Sequence, residues 1–166
     1  MSETDSTKPS PLGVLSQLGI AVGNVERFAE MFGALLGVND WAFKDWNASQ
    51  AIGQAIQHRG ISNPEWRGRL AFTKLDGIEI ELIENTSGPS GYQEFVEAKG
   101  FGLRHLMFRT DDVEAAIRHC VDHGLVASTT IADDDGNLIW AMLDGKALLG
   151  FDIELTTGRS AHQRVG

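Results

Sequence analysis

The chain contains two near-copies of one segment, Gln17-Leu-Gly-Ile-Ala-Val-Gly-Asn-Val-Glu26 and His105-Leu-Met-Phe-Arg-Thr-Asp-Asp-Val-Glu114. Each copy runs on into a helical pattern that ends at a glycine-containing step, Leu36-Gly37-Val38 in the first and Gly124-Leu125-Val126 in the second. Each half then repeats a pair of words, Leu75-Asp76-Gly77 with Ile80-Glu81-Leu82, and Leu143-Asp144-Gly145 with Ile153-Glu154-Leu155. The order of elements is kept while their spacing drifts, so the halves differ by modest insertions and deletions. Such a chain is expected to fold as two similar half-modules. Four side chains able to bind a metal, Gln17, Glu81, His105 and Glu154, then occupy only two structural positions, each used twice.

Residue periodicity fills in each half. Gln17 to Val22 alternates as a strand, with Leu18, Ile20 and Val22 on one face and Gln17 on the other. From Val25 the apolar residues fall at Val25, Phe28, Phe32, Leu35 and Leu36, a helical stripe with Asn24 as its cap and Gly37 as its stop. The second copy repeats this with Val113, Ala116, Ile117, Cys120 and Val121, and Asp111 stands at capping-box spacing from Glu114. Strand-like runs follow, 69–75 and 78–83 around Asp76-Gly77, then 138–143 and 151–155. Asp-Gly favours tight hairpins, so antiparallel pairing is expected in both halves. Alternation places Glu79 and Glu81 together on the face away from the core, and likewise Asp152 with Glu154. Residues 1–13 lack periodicity and read as a disordered lead-in, and 158–166 as a flexible tail. Between them, 14–157 is expected to be a single domain of two repeats, about 14–90 and 91–157. Residues 41–66 read as a strand followed by an insertion able to form a lid.

The 166 residues, 42% of them hydrophobic, suffice for one substantial core. Twenty-three acidic against fourteen basic side chains give a net charge of -9, with no basic patch visible, which argues against nucleic-acid or anionic-membrane partners. No apolar run reaches membrane-spanning length and no signal segment opens the chain, so a soluble, cytoplasmic protein is expected. The single cysteine, Cys120, excludes an internal disulfide framework and reads as a buried small hydrophobe.

One imidazole, two carboxylates and one amide oxygen suit a divalent ion such as Zn, Ni, Co, Mn, Fe or Mg. Four protein ligands on an octahedral ion leave two adjacent positions open. A substrate with neighbouring oxygens can chelate there while the ion stabilises an enolate as a Lewis acid.

With these residues in place, the pattern resembles the vicinal oxygen chelate superfamily, which includes glyoxalase I, methylmalonyl-CoA epimerase, extradiol dioxygenases and the fosfomycin and bleomycin resistance proteins. The resemblance spans about residues 14 to 157. It implies an α+β fold in which two tandem βαβββ modules form a curved mixed sheet around a metal cleft, with Gln17, Glu81, His105 and Glu154 at the ligand positions. The segment from Tyr92 to Asp112 is most similar to the epimerases, whereas the Gln/Glu/His/Glu set is more like that of animal glyoxalase I. Departures are equally plain. Gln17 argues against the two-histidine iron site of the dioxygenases. Arg69 falls nearest the position of the epimerases' catalytic glutamate, and Ala21 stands where glyoxalase I has a glutathione-contacting arginine.

The expected activity is that of a metal-dependent lyase or isomerase, epimerases included, with one divalent ion per site and Glu154 or Glu81 as the base. The expected partner is a small carbonyl compound, anionic if Arg69 or Arg109 binds it, with Trp46 and Trp66 as further substrate contacts. The alternative is a metal-independent drug- or metabolite-binding protein of the same fold. Metal-assisted epoxide opening fits the ligand set poorly. A homodimer is expected, with the site built either within one chain or across the dimer. His119 and His123 read as a solvated helix face, and Asp133-Asp-Asp-Gly136 as a turn.

Overall fold

A computed structural model describes residues 10–51, 56–58, 61–62 and 65–158. The first half supplies β1 (Val14–Ala21), α1 (Val25–Leu36), β2 (Ala42–Asn47), the short α2 (Ala48–Ala51), β3 (Ile56–His58), β4 (Ile61–Ser62), β5 (Arg67–Leu75) and β6 (Ile78–Ser87). A linking helix, α3 (Gly91–Lys99), leads to β7 (Gly102–Arg109), α4 (Val113–Asp122), β8 (Val126–Ala132), β9 (Leu138–Asp144), α5 (Lys146–Leu149) and β10 (Asp152–Thr156). Most of the lead-in, most of the tail and part of the 41–66 insertion lie outside the described residues.

The helices form where the sequence supplies caps. Asn24 accepts from the Arg27 N–H at 2.8 Å, and Gly37 takes the left-handed conformation that ends α1. The Glu84 carboxylate adds a bond to the Val25 N–H at 2.9 Å, tying the helix start to the sheet. In the second copy the cap is Asp112, which accepts from Ala115 N–H at 2.8 Å, and not Asp111. One residue of slippage between adjacent aspartates explains the difference. The Asp76-Gly77 hairpin forms with positive φ at both residues. Asp144-Gly145 does not turn a hairpin: the chain enters α5 there, although β9 and β10 still pair antiparallel.

The strands order as β2-β5-β6-β1-β7-β10-β9-β8, extended at the β8 edge by β3 and β4. Each half thus repeats one arrangement, with its first strand parallel to its last, β1 to β6 and β7 to β10. The halves meet through the antiparallel β1–β7 pair. The result is a curled mixed sheet built from two βαβββ modules. β2 and β8 close the two modules at opposite edges, and the insertion after β2 places β3 against β8. Sheet alternation then separates two surfaces. On the outer one, Val25 and Ala29 of α1 pack on Ala71, Ile80 and Leu82, and Val113, Ala116 and Cys120 of α4 on Ala141, Ile153 and Leu155. Each large aliphatic buried in this way contributes roughly 1.5–3 kcal/mol. The inner surface carries the polar positions of the same strands. Among the described residues no helix is long and apolar enough to cross a membrane.

Candidate metal centre

Because Leu18 and Ile20 face α1, Gln17 and Gly19 face inward, and the same alternation turns Glu79 and Glu81 inward from β6. In the second half Leu106 and Phe108 face α4, which leaves His105 inward, as Glu154 is between the outward Ile153 and Leu155. The four expected ligands therefore converge within one chain. His105 Nε2 lies 3.1 Å from Gln17 Oε1, 3.0 Å from Glu154 Oε2 and 3.6 Å from Glu81 Oε2. All four residues are buried, His105 completely.

These spacings fit a shared ion. Donors about 2.1 Å from an octahedral centre stand about 3 Å apart along each edge. Donor chemistry agrees. Burial pushes the Glu81 carboxyl well above its ordinary range, reinforced by Glu154 and Glu79, and raises Glu154 to about 7 despite opposing help from the Trp140 N–H and Arg104. Burial, with Arg104 adding to it, lowers His105 to about 3, so the imidazole is neutral and its contacts with the glutamates are not ion pairs. Two crowded carboxylates beside a neutral imidazole form a set that a dication would stabilise.

Several neighbours hold the donors in place. Gln17 donates its amide N–H to Glu79 Oε1 at 2.6 Å, which turns the amide oxygen toward His105. Trp140 donates its indole N–H to Glu154 Oε1 at 2.5 Å. Gly19 faces His105 across the β1–β7 pair, and a Cβ built there would lie 2.0 Å from the ring's Cε1. Only glycine leaves room for the imidazole. His105 Nδ1 is buried and has no hydrogen-bond partner among the described residues.

Behind the cluster, Arg104 forms a buried ion pair with Asp152 and lies 5.4 Å from the Tyr92 ring and 5.6 Å from Phe95. Gly19 pairs with His105 and Ile20 with Leu103, so Arg104 is the extra residue of a β-bulge, which frees it from strict alternation. Aromatic rings extend from the site: Trp46 to Trp66 at 5.7 Å, Trp66 stacked on Tyr92 at 5.2 Å, and Tyr92 edge-on to His105 at 6.4 Å.

The expected arginines are not in this cluster. Arg69 projects to the outer face, where it binds Glu26 of α1 at 2.8 Å and Asp45 of β2 at 3.0 Å. β5 buries apolar residues on both faces: Leu70 and Phe72 line the inner side with Trp46, and Ala71 packs against α1, which puts Arg69 on the outer side. Arg109 shares the inner parity of His105 but sits four residues further on, about 13 Å along the strand, and is exposed. Arg104, Trp140, Tyr92, Glu79 and Gly19 were not assigned to the site by sequence. Trp140 gave no signal, since 138–143 is an uninterrupted apolar run whose two faces cannot be told apart by alternation. The bulge that delivers Arg104 left none beyond the glycines at 100 and 102.

Residues 16–139 match the Glyoxalase/Bleomycin resistance protein/Dioxygenase superfamily, and the chain belongs to that family. Solved structures of methylmalonyl-CoA epimerases share the fold. That from Streptomyces coelicolor, a substituted form in complex with 2-nitronate-propionyl-CoA, is 21% identical with a TM-score of 0.59, covering 90% of this chain and 99% of its own. The Mycobacterium tuberculosis epimerase is 20% identical with a TM-score of 0.56, covering 91% and 92%. No curated protein sequence matches the chain.

Proposed function

We propose that this chain is a metal-dependent lyase or isomerase, epimerases included, that moves a proton next to a substrate carbonyl. The observation that carries this reading is the convergence of Gln17, Glu81 and Glu154 oxygens on the neutral Nε2 of His105. A divalent ion held by these four residues would supply a Lewis acid for two substrate oxygens and for the negative charge that develops as the proton leaves. The protein's own contribution is positional. Glu79 keeps the Gln17 oxygen inward, Trp140 keeps Glu154 inward, and burial excludes competing water. A glutamate of the cluster takes the proton and returns it. Trp66, backed by the buried Trp46 and stacked on Tyr92, offers an aromatic surface to the substrate. We assign the activity to one domain over residues 14–157, in a cytoplasmic homodimer.

Exchange of solvent deuterium into candidate carbonyl compounds by the metal-loaded protein tests the proposal. The panel includes α-hydroxy ketones, 2-oxoaldehyde adducts and methylmalonyl-CoA, which one solved epimerase of this fold binds. Metal-dependent exchange that His105→Ala abolishes is expected. Tight binding of such compounds to metal-free protein, with no exchange under any loading, would instead establish the binding-protein alternative.

A further inference from the structure

The two modules carry an acidic residue at the same point outside the ligand set. Glu79 and Asp152 each stand two residues before a glutamate of the cluster, and each is the cross-strand partner of its module's first-strand ligand, Gln17 for Glu79 and His105 for Asp152. In the first module the acid binds that ligand directly, through the Gln17 amide. In the second it does not. Asp152 accepts from an Arg104 N–H on one oxygen and from the Gly145 N–H, at 3.1 Å, on the other. Arg104 sits where the backbone offers least support. Toward β1 it is the unpaired residue of the bulge, and toward β10 the ladder begins only at the next residue, with His105 opposite Asp152. The Arg104 side chain is 3% exposed and Asp152 fully buried, while α3 presents the Tyr92 and Phe95 rings to the guanidinium at 5.4 and 5.6 Å.

Resting on the metal-site reading above, we infer that Arg104 and Asp152 are positioning residues: their ion pair fixes the first rung of the β7–β10 ladder, and with it the placement of His105 against Glu154, as Glu79 fixes Gln17. A buried ion pair gains little stability over an apolar pair of like volume, because both charges give up their water. What it adds is direction. A guanidinium held between two rings and aimed at a carboxylate has one geometry, whereas apolar side chains pack equally well after a small slide of one strand along the other. At this rung a small slide matters, because metal–ligand distances tolerate only about 0.2 Å. The Gly145 N–H on the second Asp152 oxygen extends the same hold to the segment that joins β9 to β10.

The test compares Arg104→Met, Arg104→Lys and the double variant Arg104→Met/Asp152→Leu with the wild type. Melts of metal-free protein give stability, competition with a chromophoric chelator gives cobalt(II) affinity, and the visible absorption of bound cobalt reports its coordination geometry. Arg104→Met, which strands the Asp152 carboxylate, is expected to lower the melting temperature and to weaken cobalt binding about tenfold or more. The double variant, apolar at both positions, is expected to recover the melting temperature while its cobalt affinity stays about tenfold low and its cobalt spectrum stays altered. Arg104→Lys, which keeps a charged donor for Asp152, is expected to recover most of the affinity lost in Arg104→Met. Wild-type affinity and spectrum in Arg104→Met, or affinity that returns together with the melting temperature in the double variant, would overturn the positioning role and leave the metal site standing. Should the double variant not fold, Arg104→Lys and Arg104→Met carry the test, and equal cobalt affinities in the two would overturn it. Wild-type protein that binds no cobalt would remove the metal site itself and this inference with it.

Discussion

Replacing Gly19 by alanine places a methyl group where the His105 ring already lies. The added carbon would stand 2.0 Å from Cε1, 2.3 Å from Nε2 and 2.4 Å from Nδ1, whereas such atoms normally meet at about 3.5 Å. The ring or the β1–β7 strand pair must therefore yield by about 1 Å or more. His105 is fully buried, so the ring has no solvent to retreat into. Overpacking of this kind costs about 1–3 kcal/mol of stability. The effect on metal should be larger, because ligand distances tolerate shifts of only about 0.2 Å. Loss of a ligand's support typically costs 10–100-fold in affinity, and displacement of the single nitrogen donor belongs at or beyond about 100-fold. Chelator competition measures the affinity and thermal melts of metal-free protein the stability. A double-mutant cycle isolates the cause: with the ring removed in His105→Ala, adding Gly19→Ala should cost little, so the two changes couple by about 1–3 kcal/mol. Wild-type metal affinity in Gly19→Ala, or the same stability loss with and without the ring, would refute the steric account.

Metal-free protein should lose stability as the pH rises. Glu154, raised by burial to about 7 in the folded state, retains a proton that the unfolded chain releases above its ordinary value of 4.5. Its contribution is thus full below 4.5 and lost through 7, a change of about 3 kcal/mol, and Glu81 acts in the same direction. His105, lowered to about 3, acts oppositely as pH falls below 6.5. The net decline should therefore appear between about pH 6.5 and 8 in melts of the chelated protein and vanish when metal is bound. A flat profile for the chelated protein would contradict it. Glu79→Leu should weaken metal binding about tenfold by freeing the Gln17 amide to turn, while Glu79→Gln, which can still accept its N–H, should retain most of the affinity in the same competition assay. Arg69→Met should leave metal content and Michaelis constant unchanged and lower the melting temperature slightly, since its partners are Glu26 and Asp45 on the outer face. A raised Michaelis constant with an unchanged melt would return Arg69 to the substrate.

What the sequence revealed and what it concealed follow one division. Repetition and strict alternation disclosed the modules, the hairpin at Asp76-Gly77, and the inward face shared by Gln17, Glu81, His105 and Glu154, because each depends on local spacing alone. Arg69 was misplaced because β5 buries apolar residues on both faces, so its orientation is decided by α1 packing on Ala71. Arg104 escaped notice because a bulge breaks the alternation by which it would have been read. Gly19 gave no local signal, since its reason is a ring delivered from the other module. The orientation of the two ligand-bearing side chains Gln17 and Glu154 likewise depends on Glu79 and Trp140, partners chosen by tertiary pairing.

The central claim is most directly tested by metal stoichiometry. Protein loaded with a divalent ion, dialysed against metal-free buffer and analysed by inductively coupled plasma mass spectrometry should hold one ion per chain. His105→Ala should hold almost none, because it loses the nitrogen on which the Gln17, Glu81 and Glu154 oxygens converge. Wild-type protein without a bound ion, or His105→Ala with full occupancy, would contradict the account.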